Sequence, residues 1–468
     1  MSKHLTEYLV PTRLDEALRL LKQRGNAAAI VGGGTVQSLH LPSRVTALVD
    51  LTRCGLEDIE IRAKKAEIGA TVSTATIAAA PELDAFGTGM LREAAAEVSP
   101  QAVRNQVTVA GNIAGYLSWS DLPVVLSALG ARVRTVQPNG KKRSLAITSL
   151  FAGHPRKILK TGEVLVTVEV DRPAPHTGGA FVKMARTASD VGLANAAACL
   201  TVEDGVCAAA AIAFGAVQPR PARAPTAESR LIGVRLSEAV CAEAARLAAG
   251  TAVVHADMRA SKEYRSQLLE VTIKRALLTA WKRATGEQTY EAPRRVSPPP
   301  WPRTPVGAEC GRALSVVVDG ASRRWLIRPS DLLLDVLRRE GVASVKRGCD
   351  EGYCGTCAVI VGGRLLNSCL VLAAHVDGLE ITTVAGIGTL THPHPLQKAL
   401  VEAGAVQCGF CTPGFVVAAK SLLDQIPDPD DHELRHALDG NLCRCTGYVK
   451  QLAAIHKAAS RLSVGKAG

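Results

Sequence analysis

Eight cysteines crowded into the last third of the chain constrain it more than any other feature. They fall into two sets of four. Cys349, Cys354, Cys357 and Cys369 follow the order C-x4-C-x2-C-x11-C, and Cys408, Cys411, Cys443 and Cys445 follow C-x2-C-x31-C-x-C. Four thiolates brought to one place are what a two-iron cluster needs, and the first spacing is one of its established ligand patterns. Three ligands of the first set must come from a single loop wrapped around the metal. Gly348, Gly352 and Gly355 interleave with its cysteines in R-G-C-D-E-G-Y-C-G-T-C, so backbone amides approach the sulfurs with no Cβ in the way. The pattern implies a chain that moves electrons.

Other uses of the cysteines weigh less. The N-terminal M-S-K-H-L-T-E-Y has no apolar run and no twin arginine, which predicts no export signal, a cytoplasmic chain and reduced thiols. Taken alone, the second set fits zinc as well as iron–sulfur, because C-x2-C with another close cysteine pair is a common zinc pattern. Its place after the first loop, and the context G-N-L-C-R-C-T-G-Y, favour iron–sulfur. Cys54, Cys199, Cys207, Cys241 and Cys310 are scattered, and Cys199 and Cys207 read as small buried apolar residues.

The 468 residues suggest about three domains. The longest apolar run, Val206 to Val217, is shorter than the ~20 residues of a membrane span. The net charge of +12 sits almost wholly in the first 305 residues, which hold 38 Lys and Arg against 27 Asp and Glu. Aromatic residues make up only 3% and the basic residues are dispersed, which argues against nucleic acid and for a nucleotide-binding half or a solvated surface.

The stretch 291–305, E-A-P-R-R-V-S-P-P-P-W-P-R-T-P, reads as a stiff extended linker. It predicts few contacts between the parts on either side, so that residues 1–290 expressed alone are expected to bind a flavin independently of the cysteine sets. The first part predicts a helix carrying Leu14, Ala17, Leu18 and Leu21 and stopped at Gly25. Strands are expected at 28–31, 47–51 and 66–70, a helix at 73–80, and a hairpin of 132–136 and 143–147 around Asn139-Gly140. Strands at 182–185, 194–202 and 208–214 followed by helices at 236–249 and 262–284 suggest a separate α+β subdomain. In the second part, strands at 313–318 and 324–327, a helix at 331–340 and strands at 358–361, 365–372 and 379–384 describe a β-grasp module. Helices at 394–403, 413–425, 431–440 and 449–461 follow, with the second cysteine set at their ends.

Gly32-Gly33-Gly34 after a strand is not a Rossmann fingerprint, since Gln37 stands where the third glycine belongs, and no Walker A motif occurs. Such a run is commonly just a turn, yet it exposes amides able to hold a pyrophosphate. Thr108-Val109-Ala110-Gly111-Asn112, followed by Ser118-Trp119-Ser120-Asp121, offers a second cradle. Two separated cradles suggest a large dinucleotide held between two lobes.

With these motifs assembled, the chain resembles the flavin and iron–sulfur portions of the xanthine dehydrogenase / carbon monoxide dehydrogenase family of molybdenum hydroxylases, fused flavin part first. The resemblance is carried by G-C-D-E-G-Y-C-G-T-C, N-S-C-L, Q-C-G-F-C-T-P-G and G-N-L-C-R-C-T-G-Y. Further along it rests on V-G-G-G-T, V-R-N-Q-V-T-V-A-G-N-I-A, S-D-L-P-V-V-L-S-A-L-G-A and R-A-S-K-E-Y-R. It implies an α+β chain: a two-lobed FAD-binding domain of the PCMH/VAO-like kind over 1–172 and an α+β subdomain over 175–286. After a linker at 287–305 come a plant-type 2Fe–2S ferredoxin domain over 306–386 and a helical-bundle 2Fe–2S domain over 387–465.

The resemblance also implies FAD contacts at Gly32, Gly33, Gly34, Thr35 and Val36, at Thr108, Val109, Ala110, Gly111 and Asn112, and at Asp121, Leu165 and Lys183. The family usually has glycine at Ala110, Asp or Ser at Val36 and a second arginine at Thr187, so FAD geometry or affinity is expected to differ slightly. Gln407 corresponds to a residue that contacts the pterin. The molybdopterin-binding large subunit is expected as a separate partner, in a dimer of heterodimers. Electrons are expected to pass from molybdenum through the Cys408 set, then the Cys349 set, to FAD and an external acceptor such as NAD, oxygen or a quinone. No general acid or base stands out. The rival readings are a free-standing reductase between NAD(P)H and a soluble carrier, and a zinc-bound scaffold without redox function. A family branch with an extra 4Fe–4S site in its flavin subunit is disfavoured, since the flavin part has only the dispersed Cys54, Cys199, Cys207 and Cys241.

Overall fold

A computed structural model describes residues 4–36, 41–291, 293–302 and 313–464. Gln37, Cys310 and the end of the proline-rich stretch, 303–305, lie outside the described residues. The chain divides into two compact units, each assembled from separate stretches. One unites Met1–Gly55, Pro100–Val107 and Pro293–Gly468, and the other unites Leu56–Ser99 with Thr108–Ala292.

In the first unit, helix Leu14–Arg24 buries Ala17 and Leu21 and stops at Gly25, as the apolar spacing predicts. Among the described residues a three-stranded parallel sheet follows, in the order Glu7–Leu9, Ala47–Asp50, Ala28–Val31. A mixed five-stranded sheet runs Ala321–Leu326, Ala313–Val318, Glu380–Thr382, Ala358–Val361, Arg364–Asn367. Helix Leu333–Arg339 contributes Leu333, Leu334, Val336 and Leu337 to its core. Helices Pro395–Glu402, Thr412–Gln425, Asp431–Leu438 and Val449–Val464 pack around a second cluster of Leu, Ile, Val, Ala and Phe415.

Three expectations need correction. The strand expected at 365–372 stops at Asn367, because the chain turns into the short helix Ser368–Leu370 that presents Cys369. The strand expected at 324–327 starts at Ala321, directly after the turn. The proline-rich stretch is not a boundary that contacts avoid. Leu5, Tyr8, Val31, Val45, Leu48 and Val103 share one core with Trp301, Leu314, Leu337, Leu370 and Ile381. Each fully buried Leu or Val is worth about 1.5–3 kcal/mol, so this seam is held as firmly as a domain interior. Within the stretch Val296 is buried in the helical core, and Arg294 bonds Glu433 at 2.7 Å. Prolines fixed its extended path, but the path is packed.

In the second unit, described residues form an antiparallel sheet in the order Ile59–Ile61, Lys65–Gly69, Val164–Asp171, Arg132–Val136, Lys142–Ala146. Helices Thr74–Ala79, Met90–Ala96 and Leu122–Ala128 bury their apolar residues in the same core. A second sheet runs Ala222–Arg223, Val206–Gly215, Ala194–Glu203, Thr177–Met184. Helices Glu238–Gly250 and Lys262–Ala284 share its core. The last of these strands begins five residues before its expected start, and helix 262–284 falls where expected. No described helix is long and apolar enough to cross a membrane.

Candidate functional site

The first cysteine set lies on one loop and one hairpin. Ala358 pairs with Asn367, which brings Cys357 beside Ser368, and the Ser368 amide and hydroxyl donate to the Cys357 carbonyl at 3.2 and 2.7 Å. Cys369 is thereby set opposite Cys357. The loop wraps the Cys349 sulfur, which accepts the amides of Glu351, Tyr353 and Cys354 at 3.4, 3.3 and 3.4 Å. A Cβ on Gly348 would stand 2.6 Å from the Cys354 sulfur, so glycine is required for that approach. Hydrogen bonds from the Cys354 and Cys369 thiols hold Cys349 well below the usual thiol range, while the same contacts and burial push Cys354 and Cys369 up. Cys357 is held low by Cys369 despite its burial. The four sulfurs form one connected row.

The second set gathers between helix ends, as expected. Cys411 caps helix Thr412–Gln425, and Cys443 and Cys445 lie between Asp431–Leu438 and Val449–Val464. The Cys445 and Cys408 sulfurs are 3.5 Å apart. Burial and a hydrogen bond with Cys443 push Cys411 up to about 12. Burial also raises Cys443, but the Thr446 hydroxyl and the amides of Cys445 and Thr446 outweigh it and bring the thiol down to about 6. Cys408 and Cys445 are exposed, whereas Cys357 and Cys369 are buried. Among the described residues no three His, Cys, Asp or Glu side chains gather around one point to hold a single ion. Two irons sharing four thiolates span a wider site than a single ion does.

Hydrogen bonds join the two sets. The Leu442 amide donates to the Cys354 carbonyl at 3.1 Å, Thr356 Oγ1 to the Phe410 carbonyl at 3.0 Å, and Asn441 Nδ2 to the Gly355 carbonyl at 3.4 Å. No local pattern marks this link, because its partners are up to 88 residues apart.

The residues expected to touch FAD fall in both units. In the first, Gly33 packs so closely on Gln106 that a Cβ would lie 1.6 Å from the Gln106 carbonyl oxygen. The buried Gln106 side chain donates Nε2–H to the Leu370 carbonyl at 3.4 Å, while its Oε1 has no hydrogen-bond partner among the described residues. The turn Gly32 to Val36 thus lies beside the unpaired Gln106 Oε1, an acceptor open to a polar ligand.

In the second unit the expected backbone cradle is closed. The Val109 amide donates to Val72, Ala110 to Ala70, Gly111 to Thr108 Oγ1 and Asn112 to the Thr108 carbonyl. Only side chains and the bare Gly111 surface are left to meet a ligand there, among them the unpaired Oδ1 of Asn112. Asp121 and Lys183 are brought together, with Nζ 3.1 Å from Oδ2, and Asn195 Nδ2 donates to Asp121 Oδ1 at 2.7 Å. Burial raises the Asp121 carboxyl above its ordinary value despite the lysine. Leu165 is buried in the core rather than presented at a surface. Gln407 is exposed beside Cys408. Gln106, Asn195 and Thr446 are site residues that nothing in their own side chains marks; only the positions of Gln106, inside V-R-N-Q-V-T-V-A-G-N-I-A, and of Thr446, next to Cys445, single them out.

Comparison with known proteins adds four family matches. A FAD binding domain in molybdopterin dehydrogenase matches residues 3–173 and a CO dehydrogenase flavoprotein C-terminal domain matches 179–280. A 2Fe-2S iron-sulfur cluster binding domain matches 316–380 and a [2Fe-2S] binding domain matches 383–456. The nicotinate dehydrogenase small FeS subunit of Eubacterium barkeri is 46% identical over 149 residues, 32% of this chain and 95% of that protein. A chain of quinoline 2-oxidoreductase from Pseudomonas putida 86 is similar with a TM-score of 0.56 and 31% identity, over 61% of this chain and 99% of that one. One from the carbon monoxide dehydrogenase of Hydrogenophaga pseudoflava gives 0.57 and 29%, over 60% and 99%.

Proposed function

Because the chain belongs to the xanthine dehydrogenase / carbon monoxide dehydrogenase family of molybdenum hydroxylases, we propose a residue-level account of how it carries electrons. It is an oxidoreductase subunit with an FAD-binding domain and two 2Fe–2S domains, and a partner subunit holds the molybdopterin. Cys349, Cys354, Cys357 and Cys369 hold one cluster, and Cys408, Cys411, Cys443 and Cys445 hold the other. When bound, the clusters pass single electrons and the flavin collects two. The free-standing reductase is not favoured, since its relatives are subunits of larger dehydrogenases.

The observation that carries this account is the hydrogen-bonded seam between the two cysteine loops. It holds the two ligand sets at fixed separation, which single-electron passage requires. The order of transfer rests on the same bonding. The Cys349 set is tied on one side to Phe410 and Leu442 of the second set, and on the other, through Leu370, to Gln106 beside the glycine turn. Electrons therefore enter at the exposed Cys408 set and leave through the Cys349 set toward FAD. Phe410, Leu442 and Val449, exposed apolar residues near Cys408 and Cys445, suit cover by the molybdopterin subunit, with Gln407 reaching the pterin.

FAD is held by the glycine turn Gly32 to Val36, and by Thr108 to Asn112 through side chains and the Gly111 surface. Lys183 and Asp121 position one another, and Leu165 supports them from the core. The domain limits 1–172, 175–286, 287–305, 306–386 and 387–465 go with this account. So do a cytoplasmic dimer of heterodimers and NAD, oxygen or a quinone as acceptor. Metal and flavin analysis of the purified complex tests it, with about four irons and one FAD per chain expected. Zinc in place of half the iron would sink the assignment of the second set.

A further inference from the structure

The sulfurs of Cys349 and Cys443 differ in what donates to them. Cys349 Sγ is surrounded by three backbone amides. Cys443 Sγ meets the Cys445 amide at 3.4 Å and the Thr446 amide, and also a side-chain hydroxyl, Thr446 Oγ1 at 3.1 Å.

That hydroxyl has one proton and two lone pairs. The Tyr448 amide, 3.3 Å away, donates to one lone pair. As placed, Gln451 Oε1 lies 2.6 Å away and accepts from the same hydroxyl, and the Gln451 side chain is buried, so water does not compete for it. The two ends of a carboxamide are alike in shape, and the surrounding donors and acceptors decide which faces a neighbour. With the Gln451 amino group turned to Thr446, both lone pairs are filled and the proton has one acceptor left, the Cys443 sulfur. With the oxygen turned to Thr446, the proton is drawn away from the sulfur. Tyr448 clasps the turn from the other side, its hydroxyl accepting the Cys443 amide at 3.0 Å.

We propose that Thr446, oriented by Gln451, donates its hydroxyl proton to Cys443 and so raises the reduction potential of the cluster that the second set holds. This rests on the assignment of Cys443 as a ligand. A hydrogen bond to a ligand sulfur strengthens as that sulfur gains negative charge, so it favours the reduced state. The event tuned is the uptake of one electron supplied by the partner subunit, with no bond made or broken. Thr446 is a positioning residue: it acts through Cys443. Three backbone amides surround Cys349 in the other set, so the side-chain donor at position 446 gives the second set a point at which its potential is adjustable.

Redox titration of the holoprotein, followed by electron paramagnetic resonance, tests this. Cys443→Ser identifies the signal of the second set by abolishing or altering it. Thr446→Val should keep about four irons and both signals, and lower the potential of that one signal. The one-electron equilibrium between the clusters should move by about threefold or more, which is ~28 mV at 59 mV per tenfold. Thr446→Ser, which keeps the hydroxyl, should restore it. Should Thr446→Val shed iron, Thr446→Ala carries the same expectation. An unchanged potential in the iron-replete variant overturns the inference and leaves the ligand assignment standing. A Cys443→Ser protein with both signals intact overturns the assignment, and the inference with it.

Discussion

Asp50 Oδ2 lies 2.7 Å from His375 Nδ1, across 325 residues of sequence, and both side chains are buried. The Tyr8 hydroxyl donates to the same carboxylate oxygen at 2.6 Å, and the amide and hydroxyl of Thr52 fill the other. The Trp301 ring meets His375 edge-on at 4.3 Å and stacks under the Arg364 guanidinium at 4.4 Å. A polar pin thus fastens the N-terminal sheet to the β-grasp sheet inside one core. Removing one partner strands the other, so Asp50→Ala or His375→Ala should cost about 3–5 kcal/mol. Denaturant unfolding of the first unit reads this directly. A double replacement by leucine should recover part of the loss, and if both singles cost nothing the pin has no structural weight.

The pin also gives a pH dependence. Burial alone would raise Asp50, but the charge and hydrogen bond of His375, with those of Tyr8 and Thr52, hold it below its ordinary 3.8. Below about pH 4 the unfolded chain takes up a proton that the folded chain refuses. The stabilisation is therefore complete above that pH and is lost as pH falls through the folded value. Comparing acid unfolding of the parent and Asp50→Asn should show a shallower acid limb in the variant.

Gly33→Ala should separate the flavin from the iron. The added methyl meets the Gln106 carbonyl at 1.6 Å, so the turn must move, while no cysteine lies against Gly33. FAD affinity should fall by about tenfold or more, 1.4 kcal/mol, at full iron content. Flavin-to-iron ratios after gel filtration decide it.

Cys443→Ser tests the direction of flow. In the complex, substrate should no longer reduce FAD, while exchange between FAD and the external acceptor persists. Fast substrate-driven flavin reduction in a protein lacking that cluster would refute the proposed order.

Residues 1–290 expressed alone should not protect the strands Ala28–Val31 and Ala47–Asp50, whose core partners Trp301, Leu337 and Ile381 are missing. Hydrogen exchange in those strands should be fast in the fragment and slow in the full chain. Equal protection would mean the lobe completes its own core.

Local pattern was legible where local forces decide. Helix Lys262–Ala284, strand Ala313–Val318 and both cysteine sets follow from spacing and turn residues. The strand Thr177–Met184 was shortened because Gly178 and Gly179 lower strand propensity. Glycine is needed there: a Cβ on Gly178 would strike the Ala280 carbonyl at 2.2 Å. The Thr108–Asn112 segment looked like an amide cradle because sequence shows which amides exist and not which are already bonded to Val72 and Ala70. The path of Pro100–Val107 into the iron–sulfur half was invisible for a related reason. Asn105 Nδ2 finds the Leu365 carbonyl at 2.9 Å, a pairing no periodicity encodes.

The shared core also has a timetable. Tyr8 and His375 are 367 residues apart, and a ribosome adding about 5–20 residues per second needs roughly 20 to 70 seconds to travel between them. For most of that interval Tyr8, Val31, Val45 and Leu48 have been made and the residues from Trp301 to Ile381 that cover them have not. The nascent chain therefore carries an unfinished sheet with its apolar side open, a target for trigger-type chaperones and for neighbouring chains on the same message. Slowing translation between positions 55 and 380 should lengthen that exposure and lower the yield of folded protein.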